Sequence, residues 1–113
     1  MADLLVDTDV CIDHLQGLKR LPARHAKLAY SVVTRAELLA GPTGQHAAAR
    51  RMLAALSEVP VDRRIAERAA AVRRDCGLRL PDALIAGTAL VHDLSLLTRN
   101  QADFRRVPDL RLR

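Results

Sequence analysis

Short apolar runs alternate along the chain with longer segments whose apolar residues recur at helical spacing, and turn residues or acids close most of the runs. Leu4-Leu5-Val6, ending in Asp7, is continuous rather than alternating, which suits a strand covered on both faces in a parallel sheet. A helix is expected from about Asp9 to Gln16, with Gly17 as its stop. Leu28 to Val33 (LAYSVV) reads as a second strand, after which Thr34 opens a helix, TRAELLA, that Gly41-Pro42 ends. His46 to Leu56 is Ala-rich and helical, and Glu58 to Val61 suits a short strand closed at Pro60. Asp62 to Asp75 carries apolar or small residues at Ile65, Ala66, Ala69 and Val72, predicting a helix stopped at Cys76-Gly77. Pro81-Asp82 opens another, DALIAGTALVH, because the first turn tolerates proline. Leu94 to Thr98 is the next strand, and Leu110-Arg111-Leu112 a candidate last edge strand. Strands alternating with helices predict an α/β fold: a central parallel sheet of four to five short strands flanked by helices.

The length of 113 residues fits one domain over 1–113, and neither a repeat nor a low-complexity tract interrupts it. Half the residues are apolar, but Trp is absent and Phe and Tyr occur once each, so the core must be aliphatic. Base stacking on aromatic side chains is therefore excluded as a main mode of nucleic-acid contact. No apolar run approaches the roughly 20 residues that span a bilayer, and MADLLVD carries acid where a signal peptide needs basic residues. The expectation is a cytoplasmic protein with no membrane association. Cys11 and Cys76 form no C-x-x-C, and His14, His25, His46 and His92 lack zinc spacing, which argues against a disulfide framework or a zinc site. The net charge of +5 favours an anionic partner. It weighs little by itself, because the bases are nearly all Arg in an Ala-rich chain, with only Lys19 and Lys27 as lysines.

In doubly wound parallel sheets a ligand binds beyond the carboxyl ends of the strands, and several acids fall at those places. Asp7 directly follows the first strand, Glu37 lies one turn into the helix after the second, Asp82 starts a helix, and Asp103 follows the strand in LSLLTR. Four converging carboxylates repel unless a cation sits among them. An all-oxygen site of this kind suits Mg2+ or Mn2+, and the chemistry it implies is phosphodiester hydrolysis. Each acid also has an ordinary structural reading. Thr34-Arg-Ala-Glu37 matches a capping box, Asp82 suits a helix first turn, and Asp103 suits a polar turn. Asp7 stands apart, because an acid closing a buried apolar strand needs a functional or capping reason.

Taken together, LLVDTDVCIDHLQG at 4–17, YSVVTRAELLAG at 30–41 and RLPDALIAGTALVHDLSLLTRNQADF at 79–104 resemble the PIN-domain ribonuclease toxins of the VapC type, over nearly the whole chain. That resemblance implies a PIN fold with an acidic pocket that binds Mg2+ or Mn2+ and cleaves RNA as the toxin of a type II toxin-antitoxin pair. By motif position Asp7, Glu37 and Asp82 match the family's first three carboxylates. The fourth departs from the pattern: where many relatives have an acid two residues after the Thr of this motif, the chain has Asn100, and Asp103 follows three residues later. Either Asp103 reaches the metal, or Asn100 contributes a neutral oxygen, or a second metal site is weak. Thr8, Asp9, Thr98 and Asn100 are candidates to orient carboxylates, water or substrate, with Asp9 equally suited to a helix N-cap. Arg99, Arg105, Arg106 and Arg35 flank the acids and are candidate RNA phosphate contacts, with solvated surface as the alternative. Single-stranded or looped RNA is the expected target, since its phosphates and bases are accessible. The resemblance further implies homodimers and a cognate VapB-type antitoxin whose C-terminal segment covers the active site. Val10, Ile12 and Leu15 on the first helix serve such contacts or the core.

Two other readings compete. Asp7-Thr-Asp9-Val10 looks like the D-x-D motif of haloacid-dehalogenase-type phosphatases, in which Asp7 would attack phosphorus. That fold needs a longer chain and a basic residue on the phosphoryl group that this sequence does not place. A catalytically inactive PIN-like RNA-binding module is the other, kept open by the irregular fourth acid. Ser31 and Ser95 have no base partner at a recognisable spacing, so a Ser-His-Asp hydrolase gains little support.

Overall fold

The computed structural model describes residues 3–21 and 27–113; His25, one of the histidines considered above, lies outside them. Strands β1 (Leu4–Val6), β2 (Leu28–Ser31), β3 (Ser57–Val59) and β4 (Ser95–Leu97) form one sheet in the order β3-β2-β1-β4. All three pairings are parallel. Parallel neighbours need crossovers, and the helices that supply them are α1 (Thr8–Leu15), α2 (Val32–Leu39), α3 (His46–Ala54), α4 (Arg63–Cys76) and α5 (Leu80–Val91). A short α6 (Gln101–Phe104) follows β4.

Both faces of the sheet are covered. Leu5, Ala29 and Leu96 join Ala69, Val72, Ile85 and Ala86 in one core cluster, while Val6 and Tyr30 join Val10, Cys11, Leu38 and Leu53 in the other. Residues in a strand point alternately to opposite faces, so a strand buried on both sides must be apolar at every position. The three residues of β1 are at most 2 % exposed. Helix α4 is delimited at both ends: the Asp62 carboxylate accepts from the Ile65 amide at 2.9 Å, and Gly77 turns left-handed at φ 72°. It packs closely on α5 at Gly87, where a Cβ would stand 3.1 Å from the Ala69 nitrogen and 3.2 Å from the Ile65 carbonyl oxygen.

Several boundaries differ from the sequence expectation. Strand β2 stops at Ser31, whose hydroxyl accepts from the Val33 amide at 3.1 Å and so starts α2 at Val32. The expected helix start at Thr34 and its capping box are therefore not formed, because Thr34 and Glu37 lie inside α2. Strand β3 begins at Ser57 and ends at Val59, short of Val61. The last edge strand reduces to one parallel bridge between Leu96 and Leu112, flanked by 2.8 Å backbone bonds from Leu96 to Arg111 and from Arg113 to Leu96. Asp103, expected in a turn, lies in α6.

The strand order decides where a site can form. From β1 the chain steps to β2 and β3 on one side, whereas β4 lies on the other. The strand order thus switches between β1 and β4, and the carboxyl ends of those two strands border the crevice where parallel sheets accept ligands.

Candidate active site

Asp7 and Thr98 are the residues that leave β1 and β4 at that crevice, and they are joined across it. The Asp7 amide donates to the Leu97 carbonyl at 2.9 Å, and the Thr98 hydroxyl donates to Asp7 Oδ2 at 2.7 Å. The other carboxylate oxygen, Oδ1, accepts from the Thr8 amide at 2.8 Å. Asp7 is 5 % exposed. Burial pushes its carboxyl up to about 7 from 3.8; the Thr98 hydroxyl and the Thr8 amide pull against that rise, while Asp9 and Asp82 add to it.

A second set of contacts fixes Glu37. The Thr8 hydroxyl donates to Glu37 Oε1 at 2.7 Å and lies 2.9 Å from the Thr34 hydroxyl. With its one proton committed to Glu37, Thr8 accepts from Thr34, and the fully buried Thr34 becomes the anchor of a relay that ends on the carboxylate. Thr34 thus serves the site from the interior of α2 rather than as a helix cap. Asp9, the second residue of α1 rather than its N-cap, which is Asp7, accepts from the Arg99 amide at 3.2 Å.

Asp7, Asp9, Glu37 and Asp82 line one cleft of about 190 Å³ together with Thr8, Ile12, Arg79 and Asn100. The structure thus brings Asp7, Glu37 and Asp82 together with Thr8, Asp9 and Asn100. Asp103 does not line the cleft. It is exposed, accepts from Asn100 Nδ2 at 2.9 Å and lies 3.6 Å from Arg106 Nη2. The side-chain oxygen of Asn100 has no hydrogen-bond partner among the described residues. Thr98, one of the orienting candidates, sits behind Asp7 rather than on the cleft wall.

The expected phosphate-binding arginines divide. Arg99 is held 2.9 Å from Asp13, a nearly buried acid of α1. Arg35 is held by Glu58 at 2.6 Å and donates to the Tyr30 hydroxyl at 2.8 Å, and it does not line the cleft. Arg105 and Arg106 are exposed beyond α6. Sequence reasoning missed Arg79, the only cation among the described residues lining the cleft, with Nη2 3.3 Å from Asp82 Oδ2. The signal was present as R-x-x-D at a helix start, a spacing that brings the residue before a helix close to the third residue within it. A larger groove of about 760 Å³, lined by Asp13, Lys19, Arg20, Thr98, Arg99 and Arg113 among others, runs past Thr98. Its one acid is already paired with Arg99, so it is a basic groove beside an acidic cleft.

Among the described residues no three His, Cys, Asp or Glu side chains stand close enough to share an ion directly. The donor set nevertheless fits a hard, hydrated cation. Every ligand-capable group in the cleft is oxygen, the carboxylate charge exceeds the one arginine, and the space admits several waters. Mg2+ and Mn2+ prefer oxygen ligands, and Mg2+ characteristically binds through one or two carboxylates while keeping water ligands. The phosphatase reading of Asp7 and Asp9 is not favoured, because Glu37 and Asp82, for which it has no use, line the same cleft.

Comparison with known proteins bears on the family and the fold. The family model described as PIN domain matches residues 4–110. Ribonuclease VapC10 of Mycobacterium tuberculosis is 38 % identical over 109 residues, spanning 86 % of this chain and 82 % of that protein. A toxin-antitoxin complex from Klebsiella pneumoniae contains a chain that is 33 % identical, with a TM-score of 0.79 over 96 % of this chain and 95 % of that one. The DNA-bound VapBC structure from Salmonella typhimurium superposes with a TM-score of 0.90 over 100 % of this chain and 98 % of its own, at 22 % identity, a likeness of fold.

Proposed function

The chain belongs to the PIN domain family, and from that membership we propose that it is a VapC-type ribonuclease toxin that hydrolyses RNA phosphodiesters with Mg2+ or Mn2+ in the Asp7 cleft. The observation that carries the reading is the meeting of Asp7, Asp9, Glu37 and Asp82 in one cleft at the switch between β1 and β4. The ribonuclease at 38 % identity supports the activity.

Asp7, Asp82 and Glu37 would hold the metal, one or two of them directly and the rest through its waters, with the side-chain oxygen of Asn100 as a neutral donor and Asp103 fixing the Asn100 amide from behind. A cation bound there supplies Lewis acidity to an attacking water and to the phosphoryl oxygens. The chain's own residues prepare that chemistry. Thr98 and the Thr8 amide aim the Asp7 carboxylate, and the Thr34–Thr8 relay aims Glu37. Asp9 is held by the Arg99 amide, which joins α1 to the turn after β4. Lys19, Arg20 and Arg113 in the neighbouring groove suit the backbone of single-stranded or looped RNA, binding phosphates without reading bases.

A partner follows from the same reading. The Klebsiella relative is part of a toxin-antitoxin complex, and we assign to this chain a small VapB-type antitoxin whose C-terminal segment covers the cleft, on a homodimeric toxin. Ile12 on the cleft wall is 37 % exposed and Leu80 beside Arg79 is 51 % exposed, an apolar rim suited to a peptide. No helix among the described residues is long and apolar enough to cross a membrane, and the cytoplasm, where RNA is found, is the assigned compartment.

The test is incubation of purified, antitoxin-free protein with labelled total RNA in Mg2+, Mn2+ or EDTA, with Asp7→Ala in parallel. Discrete metal-dependent fragments that the variant does not produce are expected. Folded protein that cuts nothing under any condition would instead support an inactive RNA-binding module.

A further inference from the structure

We infer that Arg79 is a swinging cation of the active site, which neutralises Asp82 while the cleft lacks metal and turns to an RNA phosphate once a divalent ion takes Asp82. The inference rests on the metal-site reading above and assigns a substrate-binding residue to it.

Three observations carry it. Among the described residues Arg79 is the only cation on a wall lined by four carboxylates, so an incoming phosphodiester meets no other positive side chain among them there. Its bond to Asp82 is loose and one-sided. Nε and Nη2 both lie 3.3 Å from the single oxygen Oδ2, rather than forming the paired fork that holds a guanidinium on a carboxylate. The two partners also differ in freedom. The Asp82 side chain is 14 % exposed in the first turn of α5, whereas that of Arg79 is 76 % exposed.

Arg79 has no competing structural duty. It precedes α5 with an extended backbone at φ −62°, ψ 151°, and its side chain makes no capping bond to the helix. Its counterparts are committed: Arg99 to Asp13, and Arg35 to Glu58 and Tyr30. An exposed ion pair of this geometry is weak, so a divalent cation drawn to Asp82 displaces the guanidinium. A freed guanidinium presents a planar fork of donors that matches two phosphate oxygens. Arg79 and the metal are therefore competitors at Asp82 and allies at the phosphate.

That pairing of opposite effects is measurable. Mn2+ binding to the whole chain without RNA, followed by electron paramagnetic resonance of the free ion, should tighten about two- to fivefold in Arg79→Ala. Binding of a fluorescein-labelled single-stranded RNA of mixed sequence in Ca2+ should weaken about three- to tenfold in the same variant. The slope of log affinity against log salt should fall by about 0.7, the loss of one phosphate contact on a single strand. Arg79→Lys should keep the slope. A merely structural role would move both affinities in one direction. Wild-type protein that takes up no Mn2+ overturns the metal-site reading and this inference with it. Mn2+ uptake that is lost in Asp7→Ala but unchanged or weaker in Arg79→Ala overturns the inference alone, as does an RNA salt slope that Arg79→Ala leaves intact.

Discussion

Replacing Asp7 by Asn should stabilise the metal-free protein at neutral and alkaline pH while destroying its activity. The carboxyl ionises near 3.8 in an unfolded chain and at about 7 in the fold, where burial is the main cause. Below pH 4 it is protonated in both states and its burial carries no charge cost. As pH rises from 4 to 7 the unfolded chain releases the proton and the folded one keeps it, so stability falls throughout that window and stays low above it. A displacement from 3.8 to about 7 corresponds to roughly 4 kcal/mol. Asn avoids the charge and retains most of the contacts. Its oxygen accepts from the Thr8 amide, and its amide nitrogen faces Thr98, whose hydroxyl can turn its proton to Asp9 Oδ2 at 3.4 Å. With some loss from that rearrangement, the variant should exceed wild type by about 2 to 4 kcal/mol at pH 8 and by under about 1 kcal/mol at pH 4.5. Urea unfolding in EDTA at the two pH values reads the difference directly. Saturating Mn2+ at pH 8 should then raise the wild type, by about 2.7 kcal/mol at a hundred times its Kd, and leave the variant nearly unmoved. A gap between variant and wild type that does not change with pH would refute the reasoning, because it would show that Asp7 is ionised alike in both states.

Thr98→Val removes the hydroxyl that holds Asp7 ionised, so it should cost about 1 to 3 kcal/mol in urea at pH 8 and less at pH 4.5; equal cost at both values would show that the bond does not depend on the charge. Asn100→Ala should lower RNA cleavage about 10- to 100-fold and Asp103→Ala about tenfold or less, since Asn100 lines the cleft and Asp103 only holds its amide. The reverse order in a fragment assay would return the fourth ligand to Asp103. Gly87→Ala should destabilise by about 1 to 3 kcal/mol despite the gain in helix propensity, because the new methyl meets the α4 backbone near 3.1 Å; thermal unfolding at unchanged Tm would mean that α4 and α5 are not so tightly apposed.

What the chain announced in advance and what it concealed follow from the range of the forces involved. Strand β1 and Asp7 were legible because two-sided burial demands an unbroken apolar run, and an acid at its end has no core role. Helix α4 was legible because its stop and start are local: Asp62 reaches only to Ile65, and Gly77 needs only its own φ. The β2–α2 boundary was not. Val32 and Val33 favour a strand by side-chain stiffness, yet Ser31 bonds the Val33 amide and turns the chain into a helix two residues early. That shift decides the role of Glu37: in a capping box its carboxylate would be spent on backbone, whereas inside α2 it accepts from Thr8, twenty-nine positions away. The fourth position was concealed for a similar reason. Asn100 and Asp103 stand three positions apart, at the N-cap and inside the short α6, and only that turn determines which one faces the cleft and which stands behind it. Arg79 was concealed by abundance, one among many arginines until the fold set it alone on an acidic wall. Local pattern thus names the elements and the first carboxylate, while the crossing order β3-β2-β1-β4 determines which of the remaining polar residues meet it.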